Sequence, residues 1–303
     1  MKPYVSSSSN GAASQTNSST RNPPPKSIRL AGGVVRFPAI MGVLNVTPDS
    51  FSDGGKYLDP GNAVAHAIEM QEAGADIIDV GGESTKPVGA VKVTPEVEAA
   101  RVAPVLERLG RELRVPFSID THRAAVARVA LDAGASIIND ITALESDPDM
   151  APLAARSKCA VVLMHMRGKP HNHARFARYR DVVREVKDYL LNRARFACQA
   201  GIARSRIILD PGLGFAKNAR HNLALLASLP DLTALGYPIM VGASRKRFVR
   251  SIAGSDEREV MIGSAAVDAL AIARGASIVR VHDPAAARAA VRIASEIARA
   301  AVR

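Results

Sequence analysis

From Phe37 onward the chain repeats one cycle: a short β-branched apolar run, a polar or glycine-rich turn, then an Ala-rich amphipathic stretch. The strand-like runs are residues 39–45, 76–81, 116–120, 136–140, 160–165, 206–210, 238–242 and 277–281. Helical stretches follow at 61–74, 95–113, 123–133, 148–156, 181–200, 219–229, 257–274 and 285–301. Gly74 and Gly134 each fall just before a strand, where glycine ends a helix. Near-continuous apolar strands joined by helical crossovers form a parallel sheet covered on its outside. Eight such units in one domain predict a closed TIM-type (β/α)8 barrel, whose usual size is roughly 250 residues. A doubly wound open sheet is the alternative, and it ordinarily uses fewer units.

Residues 1–27 stand outside this cycle. Their Ser/Asn/Thr/Pro-rich composition cannot bury enough surface to offset the entropy of ordering, which predicts a disordered extension followed by one barrel domain over 28–303. No apolar run approaches the ~20 residues of a membrane-spanning helix. The N-terminus has no apolar core of a secretory signal, so the expectation is a soluble cytoplasmic protein. Cys159 and Cys198 fit neither a zinc pattern nor a disulfide framework and read as small core thiols.

The net charge of +11 raises the question of a polyanionic partner. Thirteen of the 40 Lys and Arg residues lie between Arg156 and Arg206, against three acids. Such a cluster on a loop and one helix face is ordinarily a solvated surface. Without a nucleic-acid motif or interleaved aromatics, no nucleic-acid partner is expected.

In a parallel barrel the working site is built from the C-terminal ends of the strands. Those ends deliver Asn45, the run 81–86, Asp120, Asn139 with Asp140, Met164 with His165, Asp210, the run 244–246, and Arg280 with His282. Turns begin at strand ends and favour polar residues anyway, which accounts for about half of these positions. It does not account for Asp120, Asn139 and Asp210 closing Ile/Leu-rich strands, where a lone buried carboxylate is costly. Two carboxylates, an amide and Lys246 suit a flat nitrogen-rich heterocycle: the acids accept from ring N–H and amino groups, and the lysine donates to a ring carbonyl. Asn45, Lys86, Arg280 and His282 offer donors suited to phosphate oxygens. The chemistry read from the residues is that of a phosphorylated-heterocycle enzyme.

Residues 41–55 (MGVLNVTPDSFSDGG) closely resemble the first signature of the dihydropteroate synthases, and residues 79–87 (DVGGESTKP) resemble the second. Ser118-Ile119-Asp120-Thr121, Ile138-Asn139-Asp140-Ile141, Leu163-Met164-His165-Met166, Leu209-Asp210-Pro211-Gly212, Ser244-Arg245-Lys246 and Arg280-Val281-His282-Asp283 match later motifs in order, so the resemblance spans about 38–300. It implies a folate-pathway transferase on a TIM barrel, cytoplasmic and homodimeric. The reaction implied condenses 6-hydroxymethyl-7,8-dihydropterin diphosphate with 4-aminobenzoate, with Mg²⁺ as cofactor, and such enzymes are sulfonamide targets. The implied catalytic residues are Asp120, Asp210 and Lys246. The implied pterin pocket is Asp120, Asn139, Met164, Asp210 and Lys246, with Arg280 stacked on the ring. Asn45, Lys86, Arg280 and His282 would hold the diphosphate, with Asn45 on the metal. Thr85, Pro87, Phe215, Ser244 and Lys246 would line the aminobenzoate side.

Three positions depart from the usual pattern: Lys86 for Arg, Ala216 for Gly, and Arg167 for Gln. Lys86 keeps the charge without the bidentate fork. Ala216 is expected to resist a positive φ and displace Phe215. These departures define one alternative, an altered paralogue with low synthase activity. The other is a pterin-binding methyltransferase, which has no use for the diphosphate cluster.

Overall fold

The structure is a computed structural model that describes residues 25–31, 33–47, 59–83, 93–169 and 172–300. Eight parallel strands form its centre: β3 (Ala39–Asn45), β4 (Ile77–Gly81), β5 (Phe117–Asp120), β6 (Ile137–Asp140), β7 (Ala160–Met164), β8 (Ile207–Asp210), β9 (Met240–Val241) and β10 (Ile278–Val281). Their order is β8-β7-β6-β5-β4-β3-β10-β9, and a parallel bridge between Leu209 and Ile239 joins β8 to the start of β9. The sheet therefore closes on itself as a (β/α)8 barrel. All eight sequence-derived strands are present, trimmed by one or two residues at some ends.

The barrel is wrapped by α1 (Pro60–Glu72), α2 (Pro95–Glu112), α3 (Ala124–Asp132), α4 (Met150–Ser157), α5 (Val182–Gln199), α6 (Ala219–Ala227), α7 (Leu229–Thr233), α8 (Arg247–Ala253), α9 (Glu257–Ala273) and α10 (Pro284–Ala300). Asp59, Thr94, Asp181, Asn218 and Asp256 cap their helices by accepting N–H bonds from the first turn, which fixes where each crossover re-enters helix. The short helices α7 and α8 were not expected from the apolar period, because neither is long enough to show one.

Residues 27–36 hold a further element that the eightfold cycle conceals. Strands β1 (Ser27–Leu30) and β2 (Gly33–Arg36) pair antiparallel as a hairpin. Ile28, Leu30 and Val35 pack on the interior residues Ala39, Met41, Ile77, Ile137, Ala160, Val162, Ile208, Met240 and Ile278. Those residues sit at the N-terminal ends of the strands, so the hairpin plugs the bottom of the barrel. Ser27, placed by composition with the disordered extension, is the first residue of β1; residues 1–24 of that extension lie outside the described residues. Cys159 is buried as expected, but Cys198 is exposed on α5, so it is not a core thiol.

The outward-facing residues of the strands, such as Ile40, Ile78, Val80, Ile119, Ile138, Val161 and Leu209, form a second, larger core with the helices. That packing is close enough to forbid a methyl group at one point. A Cβ on Gly110 of α2 would stand 2.4 Å from the Ala133 carbonyl oxygen behind α3. Gly110→Ala should therefore lower stability by ~1–3 kcal/mol in urea denaturation, the usual cost of overpacking. Helix propensity alone predicts a gain of about 1 kcal/mol.

Candidate active site

Side chains alternate across a strand, so a residue's face follows from its parity. Ile77, Ile137, Val162, Ile208 and Ile278 point into the barrel, and residues two positions further share that face. These are Asp79, Asn139, Met164, Asp210 and Arg280, and the same parity carries Asp120 above Ser118 on β5. Register aligns parts of the rim: Asn45 pairs with Gly81, Gly81 with Asp120, Asp120 with Asn139, and Met164 with Asp210. Apolar residues fill the lower barrel, and the polar ones crown it at the C-terminal end.

The crown opens into a cleft of about 520 Å³ continuous with solvent. Its walls include Asp120, Asn139, Met164, Asp210, Phe215, Ser244, Lys246, Arg280 and His282. Nine of the residues singled out from the sequence thus share one cavity. Asn45 stands beside it rather than in its wall: a Cβ on Gly81 would lie 3.6 Å from Asn45 Oδ1 and 3.8 Å from Asp120 Cβ. Thr85, Lys86 and Pro87 lie outside the described residues.

A buried carboxylate that sequence reasoning gave no role organises the floor. Asp79 is fully buried in β4. Its Oδ1 accepts from Ser118 Oγ, and its Oδ2 accepts from Asn139 Nδ2 at 2.9 Å and from Arg280 Nε at 2.6 Å. Arg280 then donates from Nη2 to Asp120 Oδ2 at 2.8 Å. Its guanidinium bridges two carboxylates across the barrel mouth. The signal was in the sequence: a charge inside the run Ile77-Ile78-Asp79-Val80 must be paired or pay a large desolvation cost.

Burial sets the charge state of the crown. It pushes the Asp120 carboxyl up to about 7, with Arg280 opposing and Asp79 reinforcing the rise. Burial also raises Asp210, whose Oδ1 accepts from Gly212 N–H at 2.7 Å. Lys246 is drawn down to about 8 by burial and then by Arg280, while Asp210 and Asp120 hold it up. Its ammonium lies 4.3 Å over the Phe215 ring. Ser244 Oγ lies 3.1 Å from His282 Nδ1 and accepts from His282 N–H at 3.3 Å.

A second lysine, also without an assigned role in the sequence reading, shapes the wall. Lys217 is buried, and its Nζ lies 2.9 Å from His165 Nδ1, the Gly212 carbonyl and the Phe215 carbonyl. It ties the loop after β8 to the end of β7. His165 is held far on the neutral side, at about 2, by burial and the Lys217 charge, so it serves as an acceptor. A Cβ on Gly212 would lie 2.0 Å from the His165 carbonyl oxygen, so only glycine admits this approach.

A family model described as a pterin binding enzyme matches residues 41–282. The chain belongs to the pterin-binding enzyme family. The dihydropteroate synthase of Mycobacterium leprae is 49% identical over 266 residues, covering 84% of this chain and 91% of that protein. The Yersinia pestis dihydropteroate synthase structure with a sulfonamide drug complex has a TM-score of 0.86 at 40% identity, covering 89% and 98% of the two chains. The Xanthomonas albilineans enzyme in complex with 7,8-dihydropteroate has a TM-score of 0.78 at 38% identity, covering 90% and 98%. The function of the chain is that of a dihydropteroate synthase, a transferase of folate biosynthesis.

Two departures from the pattern of this pterin-binding family are accommodated structurally. Ala216 does adopt the left-handed backbone, at φ +50, fully buried, with its N–H donating to His173 Nδ1 at 2.9 Å. The expected resistance is overcome by that bond, and Phe215 stays in the cleft wall. His173 is itself buried beside Phe215, with ring centroids 5.1 Å apart. Arg167 turns away from the cleft, packing its guanidinium 4.0 Å over Tyr179 and pairing with Glu185.

The position of Asp79 generates a direct test. Asp79→Asn removes the charge that Arg280 Nε and the Asn139 amide both address. Breaking a buried pair on one side costs ~3–5 kcal/mol, so urea denaturation should show a loss of that order. Asp79→Leu, which leaves Arg280 with Asp120 alone, should fall at least as far.

Proposed function

We propose that the cleft condenses 6-hydroxymethyl-7,8-dihydropterin diphosphate with 4-aminobenzoate by departure of diphosphate followed by attack of the amine. The single observation that carries this reading is the crown itself: two carboxylates, an amide and a lysine facing one cavity at the C-terminal strand ends. Asp120, Asn139 and Asp210 accept from and orient the pterin ring, Met164 packs against it, and Lys246 donates to its carbonyl. Arg280 lies over the same space and, with His282, Lys86 and Asn45, addresses the diphosphate. Phe215, Ser244 and Lys246, with Thr85 and Pro87, form the aminobenzoate side, where sulfonamides of similar shape and charge compete.

Loss of diphosphate leaves positive charge on the pterin methylene. Asp120 and Asp210 stand fixed where that charge develops, so they stabilise it without reorganising. The neutral aniline nitrogen then attacks the carbon, and the proton it sheds passes to solvent. No protein nucleophile is required.

Among the described residues no three His, Cys, Asp or Glu side chains gather as a metal cage. Mg²⁺ commonly takes one or two protein oxygens and completes its shell with water and substrate phosphates. Asn45 Oδ1, near Asp120 at the rim, is the protein oxygen that would hold it. Bound there, the ion would offset the charge of the diphosphate.

No helix among the described residues is long and apolar enough to cross a membrane, and a cytoplasmic location accords with the substrates. A homodimer is favoured by the apolar face of α9 and α10. Ile262, Leu270, Ile293 and Ile297 are each more than half exposed there.

Asp120→Asn and Lys246→Ala should each reduce kcat/KM by ~10²–10³, the usual loss when one preorganised charge is removed from a transition state. Diphosphate release with both substrates is the assay, and near-normal turnover of both variants would overturn the assignment. Asp120 must be ionised to act, and its carboxyl is raised to about 7. Wild-type kcat/KM should therefore fall as pH drops through that value, while the residual activity of Asp120→Asn should not share this step.

A further inference from the structure

The turns after β9 and β10 meet at the rim of the cleft. Parallel pairing of Ile278 with Met240 and of Val279 with Val241, carried three residues further, sets His282 opposite Ser244. The turn that holds Ser244 is anchored from behind. Arg245, whose backbone is left-handed at φ +56, donates its N–H to Ser264 Oγ of α9 at 3.1 Å. Ser264 Oγ in turn donates to the Val260 carbonyl at 2.7 Å, and Lys246 N–H donates to the Ala243 carbonyl at 3.1 Å. Ser244 itself is buried, so its hydroxyl must find its partners within the protein.

Both contacts of that hydroxyl are to one residue. Ser244 Oγ accepts from the His282 backbone N–H at 3.3 Å and lies 3.1 Å from His282 Nδ1. A hydroxyl has one hydrogen to donate and two lone pairs that accept. Were Nδ1 also a donor, the oxygen would receive two hydrogens, and its own would meet no acceptor among the described residues. With Nδ1 as acceptor, the hydroxyl hydrogen and the ring nitrogen satisfy each other. The bond made by one ring nitrogen sets which of the two carries the proton. Acceptance at Nδ1 therefore puts the proton of the neutral ring on Nε2. His282 lines the cleft, on the inward parity that it shares with Ile278 and Arg280.

We propose that Ser244 is a positioning residue for the diphosphate pole: its hydroxyl holds the His282 ring in one orientation and in the Nε2–H tautomer, so that the ring presents a donor to phosphate oxygens. The inference rests on the cleft reading above, in which His282 addresses the diphosphate. In the other tautomer Nε2 would turn a lone pair toward the anion, a repulsive contact in place of an attractive one. Because Ser244 Oγ meets both the backbone N–H and the ring of His282, it restrains the ring plane as well as its distance. The single hydroxyl hydrogen is then committed to Nδ1. On the aminobenzoate side Ser244 supplies surface, and no donated hydrogen bond.

Nitrogen NMR of the imidazole rings in the full-length protein reads the tautomer directly. At alkaline pH imidazole is neutral. There the His282 signals, identified by their loss in His282→Ala, should show Nδ1 in the lone-pair range and Nε2 in the N–H range. In Ser244→Ala the two shifts should move toward each other. The same substitution should raise KM for the pterin diphosphate about fivefold, the usual scale of one lost hydrogen bond. KM for 4-aminobenzoate should change by less than about twofold. In a His282→Ala background Ser244→Ala should add nothing further, as expected of a residue that acts through another. The proposal is overturned by a proton on Nδ1 in the wild-type protein or by unchanged shifts in Ser244→Ala. It is equally overturned if KM for 4-aminobenzoate rises instead, or if the losses simply add in the double variant. Absence of wild-type diphosphate release would overturn the cleft reading and leave the tautomer to be read by NMR, so the two failures are distinguishable.

Discussion

The upper half of the barrel depends on one buried charge. Asp79 sits in the middle of a strand with no water to solvate it, so every oxygen lone pair must be met by a neighbouring strand. Ser118 from β5, Asn139 from β6 and Arg280 from β10 meet them, and three strands are thereby fixed relative to β4. The guanidinium that neutralises Asp79 also reaches Asp120, so the position of the arginine is set before any ligand arrives. Attraction between such charges only roughly offsets their desolvation, which makes the pair poor as a source of stability. Its value is geometric: it places a cation and an acid at the mouth with little freedom to reorganise.

This arrangement needs a barrel whose two ends are built differently. The hairpin β1–β2 seals the lower end with Ile28, Leu30 and Val35 against inward-facing aliphatic residues. That apolar plug keeps water from reaching Asp79 from below, and so sustains the low-dielectric surroundings in which Asp120 and Asp210 are raised and Lys246 lowered. Stability is gathered at the bottom, and the costly polar groups are gathered at the top. The division matches the general separation of stabilising and working faces in this fold.

Much of this was legible in the chain because the barrel imposes a simple rule. Strand ends deliver side chains to a rim, so Asp120, Asn139, Asp210, Lys246 and Arg280 could be grouped from their places in the cycle alone. What escaped was whatever the cycle does not encode. The hairpin over residues 27–36 precedes the first repeat and merges with a polar leader in composition. Asp79 ends no strand, so a rule based on strand ends passed over it. Ala216 looked ill-suited to its turn because the compensating acceptor, His173, lies 43 positions away. Cys198 falls among apolar letters yet faces outward, since an amphipathic helix offers both faces within any four residues.

The two lysines near Phe215 show why residue type alone does not identify a ligand-facing group. Lys217 and Lys246 carry the same ammonium, and burial lowers both. Lys217 meets the His165 ring nitrogen and the Gly212, Phe215 and His165 carbonyls within 3.3 Å. Three N–H donors facing four protein acceptors leave nothing for a substrate, so its work is to fasten the loop. Lys246 has an aromatic face at 4.3 Å and the fields of Asp120 and Asp210. An aromatic face attracts a cation without consuming a directed donor in the way a carbonyl does. Lys246 therefore keeps donors for the ring carbonyl and carboxylate that the cleft is read to hold. The distinction lies in which acceptors the fold has already supplied, and that depends on tertiary structure.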